Sequence, residues 1–200
     1  LEKFVFASSS SVYGDVRRYP TSERTLPRPR SPYGVTKLAA EHLCQLYHRN
    51  HGVPVVALRY FTAYGPGQRP DMAFHRFIVG ILAGRELTIY GDGEQTRDFT
   101  YVQDIVEANL LAAARPAQGV SLNIGGGATT SVNGVLRLLE TICGKKALVR
   151  HLPTRPGEVG RTLADISRAR KLLGYAPSVT LEEGLARQVA WMRETNAEAS

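Results

Sequence analysis

Cysteine is scarce in these 200 residues: Cys44 and Cys143 stand in unrelated segments, with no CxxC and no metal-ligand spacing. Two isolated thiols of that kind read as buried and reduced, which argues against a disulfide framework and for a cytoplasmic setting. The five histidines, at 42, 48, 51, 75 and 151, show no ligand pattern either, so no metal is expected. No apolar run approaches the ~18 residues of a spanning helix, and no leader of signal-peptide type opens the chain, so no membrane partner is expected. Lysine is rare too, with 5 against 20 arginines in a formal net charge of +7. Those arginines are scattered without aromatic interleaving, which disfavours nucleic acid and suits small anionic ligands. A dinucleotide-type glycine turn is also missing. Gly125-Gly126-Gly127 follows a short predicted strand, Leu122-Asn123-Ile124, but Thr130 stands where the third glycine belongs.

What is present begins abruptly. Residue 1 is leucine, and Phe4-Val5-Phe6-Ala7 is already an apolar run of buried-strand type. A parallel strand needs sheet neighbours joined by long crossovers, so the expectation is a fragment lacking its amino-terminal part. The run breaks into Ser8-Ser9-Ser10-Ser11-Val12-Tyr13-Gly14, placing hydroxyls at a strand's carboxyl end, where parallel sheets meet their ligands.

The densest signal is Ser31-Pro32-Tyr33-Gly34-Val35-Thr36-Lys37. Ser31 is a good helix cap and Pro32 a good first residue, so a helix starts here and runs to about His51, stopped by Gly52. Its apolar residues are Leu38, Leu43, Leu46 and Tyr47. Residues four apart share a helix face, so the Tyr33 hydroxyl and the Lys37 ammonium can converge. Lowering a tyrosine from its usual pKa of about 10 to near 7 takes roughly 4 kcal/mol, which a fixed ammonium and a second cation can supply.

A strand-end serine followed by a helix-borne Tyr-x-x-x-Lys resembles the extended short-chain dehydrogenase/reductase family, the NAD-dependent nucleotide-sugar epimerases and dehydratases. The resemblance implies the C-terminal part of a doubly wound Rossmann-type parallel sheet plus a smaller α/β substrate-binding domain. On that reading residues 1–65 belong to the NAD-binding domain and residues 66–200 mainly to the nucleotide-sugar domain, with about 96–130 returning to the first. It also implies a homodimer, to which the Tyr33 helix contributes.

The rest of the chain alternates strands and helices, the mark of an α/β fold. Residues 15–32, with five arginines and four prolines, read as a surface loop. Val53–Tyr60 reads as a strand, Ala73–Gly84 as an amphipathic helix, Leu87–Tyr90 and Thr96–Val102 as strands, with a helix through Ala114. A helix over Val132–Cys143 is capped by Ser131, a strand lies near Leu148–His151, Asp165 caps a helix ended by Gly174, and Thr180-Leu181-Glu182-Glu183 opens the last helix as a capping box.

By resemblance, Ser9, Tyr33 and Lys37 are the catalytic residues, with Ala7, Ser8, Tyr33, Lys37 and Tyr60 against the NAD. Substrate contacts fall on Ser10, Ser11, Thr62, Arg69, Ala73, Phe74, Tyr90, Arg97, Arg155 and Glu158, the two arginines 97 and 155 on the diphosphate. Tyr60 and Phe61 read equally well as core aromatics, and Arg69 as a loop arginine paired with Asp71. The implied reaction is 4-epimerisation of a UDP-sugar: Tyr33 takes the proton of the 4-hydroxyl, NAD accepts the C4 hydride, and the transient 4-keto sugar is reduced on its other face. A 4,6-dehydratase carries an Asp-Glu pair where Ser10 and Ser11 stand, and a UDP-glucuronate decarboxylase a glutamate at Ser11. Both therefore rank below an epimerase, since a serine cannot replace a carboxyl as acid or base. A regulatory protein that kept only the fold, or an inert remnant, are the rivals from outside enzymology. Retention of Ser9, Tyr33 and Lys37 together speaks against the former. Glucose and glucuronate remain open as the sugar.

Overall fold

A computed structural model describes residues 1–154 and 160–198. The chain divides into two compact units. The first comprises Leu1–Ala63, Asp98–Thr129 and Thr162–Ser178, and the second Tyr64–Arg97, Thr130–Arg161 and Val179–Ser200. Residues 162–178 were expected in the second domain and lie in the first. Their apolar side chains explain this: Ala164, Ile166, Ala169, Leu173 and Tyr175 belong to the first unit's core.

In the first unit, β1 (Phe4–Ser9), β2 (Val55–Tyr60) and β6 (Val120–Ile124) form a parallel sheet in the order β1-β2-β6. The central strand buries Val55, Val56, Ala57 and Leu58 in an unbroken apolar run, as a strand covered on both faces requires. At the edge, β1 is less buried than its sequence suggests, for Phe4 is 44% exposed. Burial instead concentrates at its polar end, in Ser8 and Ser9. The register pairs Ser8 with Arg59 and Ser9 with Tyr60, and on β6 Asn123 with Arg59.

Helix α1 (Pro32–His51) starts as expected: the Gly34 N–H donates to Ser31 Oγ at 3.1 Å, and Gly52 ends the helix in the left-handed region at φ 67°. Helix α3 (Val102–Ala114) covers the sheet's other face. Neighbouring strand residues point to opposite faces. Arg59 bonds Glu41 of α1, while the Tyr60 hydroxyl donates to Asn109 of α3 at 2.8 Å. The short helix α5 (Ser167–Leu173) completes the unit. Its cap is Ile166 rather than Asp165, although Asp165 Oδ1 still accepts from the Ser167 N–H at 2.9 Å.

Three of the chain's five passages between the units fall within strands, β3 (Thr62–Tyr64), β5 (Thr96–Tyr101) and β7 (Thr129–Ser131). In the second unit, α2 (Ala73–Ala83), α4 (Val132–Cys143) and α6 (Leu181–Glu198) pack with a parallel pair, β4 (Glu86–Tyr90) and β8 (Leu148–Leu152). Ser131 caps α4 through the Gly134 N–H, and Thr180 Oγ1 accepts from Glu183 N at the start of α6.

The glycine run that failed the dinucleotide pattern has a structural task. Asp98, fully buried on β5, accepts from the Gly126 N–H at 2.7 Å and the Ala164 N–H at 2.9 Å. A Cβ at Gly125 would lie 2.7 Å from Asp98 Oδ2, and one at Gly126 would lie 2.2 Å from the Phe99 carbonyl oxygen, so side chains are excluded there. Burial pushes the Asp98 carboxyl up to about 6, against the opposing pull of backbone N–H donors. A folded-state pKa above the unfolded one costs stability when the group is ionised, and that cost is relieved as pH falls through about 6. The excess stability of the parent over Asp98→Asn, which does not titrate, should grow between pH 7 and pH 5 by about 1 kcal/mol. Urea unfolding of both proteins at the two pH values measures it.

Candidate active site

The carboxyl end of β1 and the first two turns of α1 come together in the first unit. Lys37 Nζ donates to the Ala7 carbonyl oxygen at 2.9 Å, which sets the ammonium at the strand's end. The same Nζ lies 5.6 Å from the Tyr33 ring centroid and 5.4 Å from that of Phe6. Tyr33 itself is 54% exposed, so a side chain with no packing task is held beside a cation. An ammonium has three N–H donors, and the bond to Ala7 uses one of them.

After β1 the chain turns into a 3-10 segment, Ser10–Val12. Ser9 caps it, its Oγ accepting from Ser11 N and donating to Ser11 Oγ, both at 3.1 Å. Helix α1 comes close to this turn at Gly34, where a Cβ would stand 2.5 Å from the Ser11 carbonyl oxygen. The glycine inside Tyr-Gly-Val-Thr-Lys is thus a close-approach position between helix and turn.

Behind these residues lies a buried polar network that the sequence reading missed. Arg59 Nε donates to Glu41 Oε1 at 2.9 Å, and its NH2 donates to Oε2 at 2.6 Å. The Ser8 hydroxyl donates to Glu41 Oε1, and Ser121 Oγ donates to Oε2 at 3.2 Å. Arg59 NH1 donates to the Tyr13 hydroxyl at 2.8 Å, and that hydroxyl donates to Asn123 Oδ1 at 2.7 Å. Burial alone would disfavour the guanidinium charge. The Glu41 bonds and the neighbouring Tyr13 outweigh it and hold Arg59 more firmly protonated than usual, while burial pushes the Tyr13 phenol up. Two signals for the pair were present: an arginine closing the apolar run Val55–Leu58, and a glutamate four residues after Lys37 on the same helix face.

The sequence-assigned residues divide between the units. Ala7, Ser8, Ser9, Ser10, Ser11, Tyr33, Lys37, Tyr60 and Thr62 lie in the first, and Arg69, Ala73, Phe74, Tyr90 and Arg97 in the second. Tyr60 is half-buried against the core. Arg69 pairs with Asp71 at 3.0 Å, with both side chains exposed, which is the pairing weighed for it from sequence. The Phe74 ring is buried edge-on against Tyr64, 5.3 Å between centroids. Arg97 NH1 donates to the Thr96 carbonyl oxygen at 3.0 Å, and the side chain of Gln95 reaches the Tyr90 carbonyl. Ala73 opens α2. Arg155 and Glu158 lie outside the described residues. Among the described residues no cluster of histidine, cysteine, aspartate or glutamate could hold a metal ion, and no helix is long and apolar enough to cross a membrane.

A parallel sheet with helices on both faces, a Tyr-x-x-x-Lys helix and serines at a strand's carboxyl end define the short-chain dehydrogenase/reductase class. Residues 2–188 match the family model described as GDP-mannose 4,6 dehydratase, and the chain belongs to that family. Among curated relatives, a Bacillus subtilis protein named as an uncharacterized UDP-glucose epimerase is 48% identical over 193 residues, covering 96% of this chain and 61% of that protein. A UDP-glucuronate 4-epimerase of Thermodesulfobacterium geofontis is 41% identical over 195 residues, covering 97% and 60%. The Bacillus cereus UDP-glucuronic acid 4-epimerase, solved with UDP-glucuronic acid and NAD, superimposes with a TM-score of 0.92 at 48% identity, covering 96% of this chain and 62% of that one. The Thermotoga maritima UDP-glucose 4-epimerase, solved with UDP-glucose, gives 0.93 at 38% identity, covering 98% and 65%. The chain therefore has the Rossmann-type α/β fold and spans about three fifths of the length of the curated relatives it matches.

The close approach at Gly34 yields a test of the site's construction. Alanine there gains up to about 1 kcal/mol of helix propensity. Overpacking against a backbone oxygen costs about 1 to 3 kcal/mol, so the clash should win. Gly34→Ala is expected to lower the urea midpoint, whereas alanine at the exposed Val35, where only helix propensity changes, should leave it unchanged or raise it slightly.

Proposed function

We propose that this chain forms the catalytic and sugar-binding part of an NAD-dependent UDP-sugar 4-epimerase. The observation that carries the reading is the bond from Lys37 to Ala7, which holds the ammonium at the β1 end beside the exposed Tyr33. The relatives named for 4-epimerisation of UDP-glucose and UDP-glucuronate support the same reaction.

The residues present fit the nicotinamide end of a dinucleotide: Lys37 has donors to spare, Tyr33 is exposed, and both stand at the carboxyl end of a parallel strand. Ala7, Ser8 and Tyr60 would flank it. Bound NAD supplies a reversible hydride acceptor. Tyr33 draws the proton from the sugar's 4-hydroxyl as that carbon is oxidised, then returns it when the 4-keto sugar is reduced on the opposite face. Lys37 stabilises the phenolate and holds the nicotinamide ribose. Ser9 directs a hydrogen bond at the same sugar oxygen, exchanging its present donation to Ser11. Ser10, Ser11 and Thr62 face the sugar, Arg97 and Arg155 take the diphosphate and Glu158 the nucleotide ribose, while Ala73 and Tyr90 also contact the substrate. Phe74, its ring buried against Tyr64, can do so only through its backbone. A guanidinium fork suits a diphosphate.

The exposed Leu43, Leu46 and Tyr47 on α1 form the surface by which two copies pair as a homodimer. Two free cysteines suit the reducing cytoplasm. Dehydration and decarboxylation rank lower because Ser10 and Ser11 supply no carboxyl acid or base.

Turnover is assayed in a chain extended by the part of a relative that the match does not cover. There Tyr33→Phe should reduce kcat by at least about 100-fold with the fold intact, since it removes a group needed only while the proton moves. Retention of more than a tenth of parental turnover would reject Tyr33 as the proton carrier.

UDP-glucuronate and UDP-glucose are separated at Arg69. If its guanidinium exchanges Asp71 for the sugar carboxylate, Arg69→Ala should lose about 1.5 to 3 kcal/mol in kcat/KM for the glucuronate alone. Equal losses for both sugars would remove the reason for preferring the glucuronate.

A further inference from the structure

We propose that the buried Glu41–Arg59 pair is the positioning element of the Tyr33–Lys37 couple, setting the height along β1 at which the phenol and the ammonium are presented. What Tyr33 does there rests on the epimerase reading; what holds it does not.

Along its 20 residues α1 buries only Gly34 and Glu41, with Leu38 packed half-buried against the core. Leu43, Leu46 and Tyr47, which periodicity would assign to a core, face outward at 57%, 48% and 55% exposure. The helix is therefore seated on the sheet by close approach and by charge rather than by an apolar stripe. Gly34, Lys37 and Glu41 fall three and four residues apart, on one face. Successive turns of that face grip successive residues of β1: Lys37 holds the Ala7 carbonyl, and Glu41 takes the Ser8 hydroxyl. Through Arg59 and Ser121 the same carboxylate also engages β2 and β6, so it meets all three strands.

The groups facing Glu41 are Arg59, Ser8 and Ser121, and Tyr13 joins through Arg59. No other carboxylate takes part in these bonds, so the guanidinium loses its counter-charge if Glu41 is neutralised. Helix and strand can then shift relative to each other, and Lys37 loses its fixed distance from Ala7. A displacement of about 1 Å at a reacting group is enough to cost on the order of 100-fold in rate.

Glu41→Gln, which keeps the size and part of the hydrogen bonding, is compared with Arg59→Lys, which keeps the charge. In the 200-residue chain the Lys37 ammonium is observed by NMR after reductive 13C-methylation and assigned by its loss in Lys37→Arg. In the extended chain kcat, KM and the pH profile of kcat are measured for the UDP-sugar the parent turns over. Positioning predicts a moved Lys37 signal, kcat down about 10- to 100-fold with KM within about threefold, and an acid limb displaced to higher pH. Arg59→Lys should fall between parent and Glu41→Gln. If Glu41→Gln lowers the unfolding midpoint but leaves the Lys37 signal and the pH profile unchanged, the pair is only structural and the proposal fails. Failure of the epimerase reading would appear in the unmutated extended chain as no turnover of either sugar, and the Lys37 signal then decides the positioning role alone.

Discussion

A buried ion pair ties helix α1 to all three strands of the first unit's sheet. Glu41 and Arg59 leave 4% and 7% of their side chains accessible, so each gives up most of its hydration, and their attraction offsets that only if the remaining donors and acceptors are satisfied. They are: two serines complete the carboxylate, and a tyrosine takes the guanidinium's remaining arm and passes the chain of bonds on to Asn123. Asn123 in turn donates to the Thr21 carbonyl oxygen, fastening the long arginine-rich loop to β6. Helix α1, the strand that ends in serines and the loop between them are thus parts of one hydrogen-bonded assembly.

That assembly answers a problem posed by the site. Tyr33 is left exposed, so the helix end that bears it is not anchored by wrapping that ring in apolar side chains. The anchoring is placed two turns further on, where Glu41 is shielded from water. The Ala7 carbonyl gives Lys37 a fixed partner that the tyrosine does not have to provide.

Local sequence signals were enough to place most elements, because caps and stops act at short range. Ser31, Pro32 and Gly52 bound α1, and Ser131 and Gly144 bound α4, as their residue types require. The Tyr33 and Lys37 positions followed from helical spacing alone. What could not be read was which face of α1 points inward: of the apolar residues Leu38, Leu43, Leu46 and Tyr47 only Leu38 packs on the core, beside Gly34, Lys37 and Glu41. Periodicity records where hydrophobic residues recur, and it is blind to a charged partner 18 residues away in sequence. Asp98 was missed for a similar reason, since its partners, Gly126 and Ala164, are brought to it only by the fold. The start of α5 lies one residue later than the Asp165 cap implies, because Asp165 accepts from the Ser167 N–H without itself being the cap.

The charged inner face of α1 governs how this region assembles. A helix seated by an apolar stripe resists a slip of one turn, about 5.4 Å, through side-chain packing alone. With Glu41 and Arg59 that slip would leave two charges buried and unmatched, at a cost of about 3 to 5 kcal/mol, and would drive the Gly34 position off its narrow gap. Misregistered docking is therefore penalised twice, by electrostatics and by shape, and the helix has one seat.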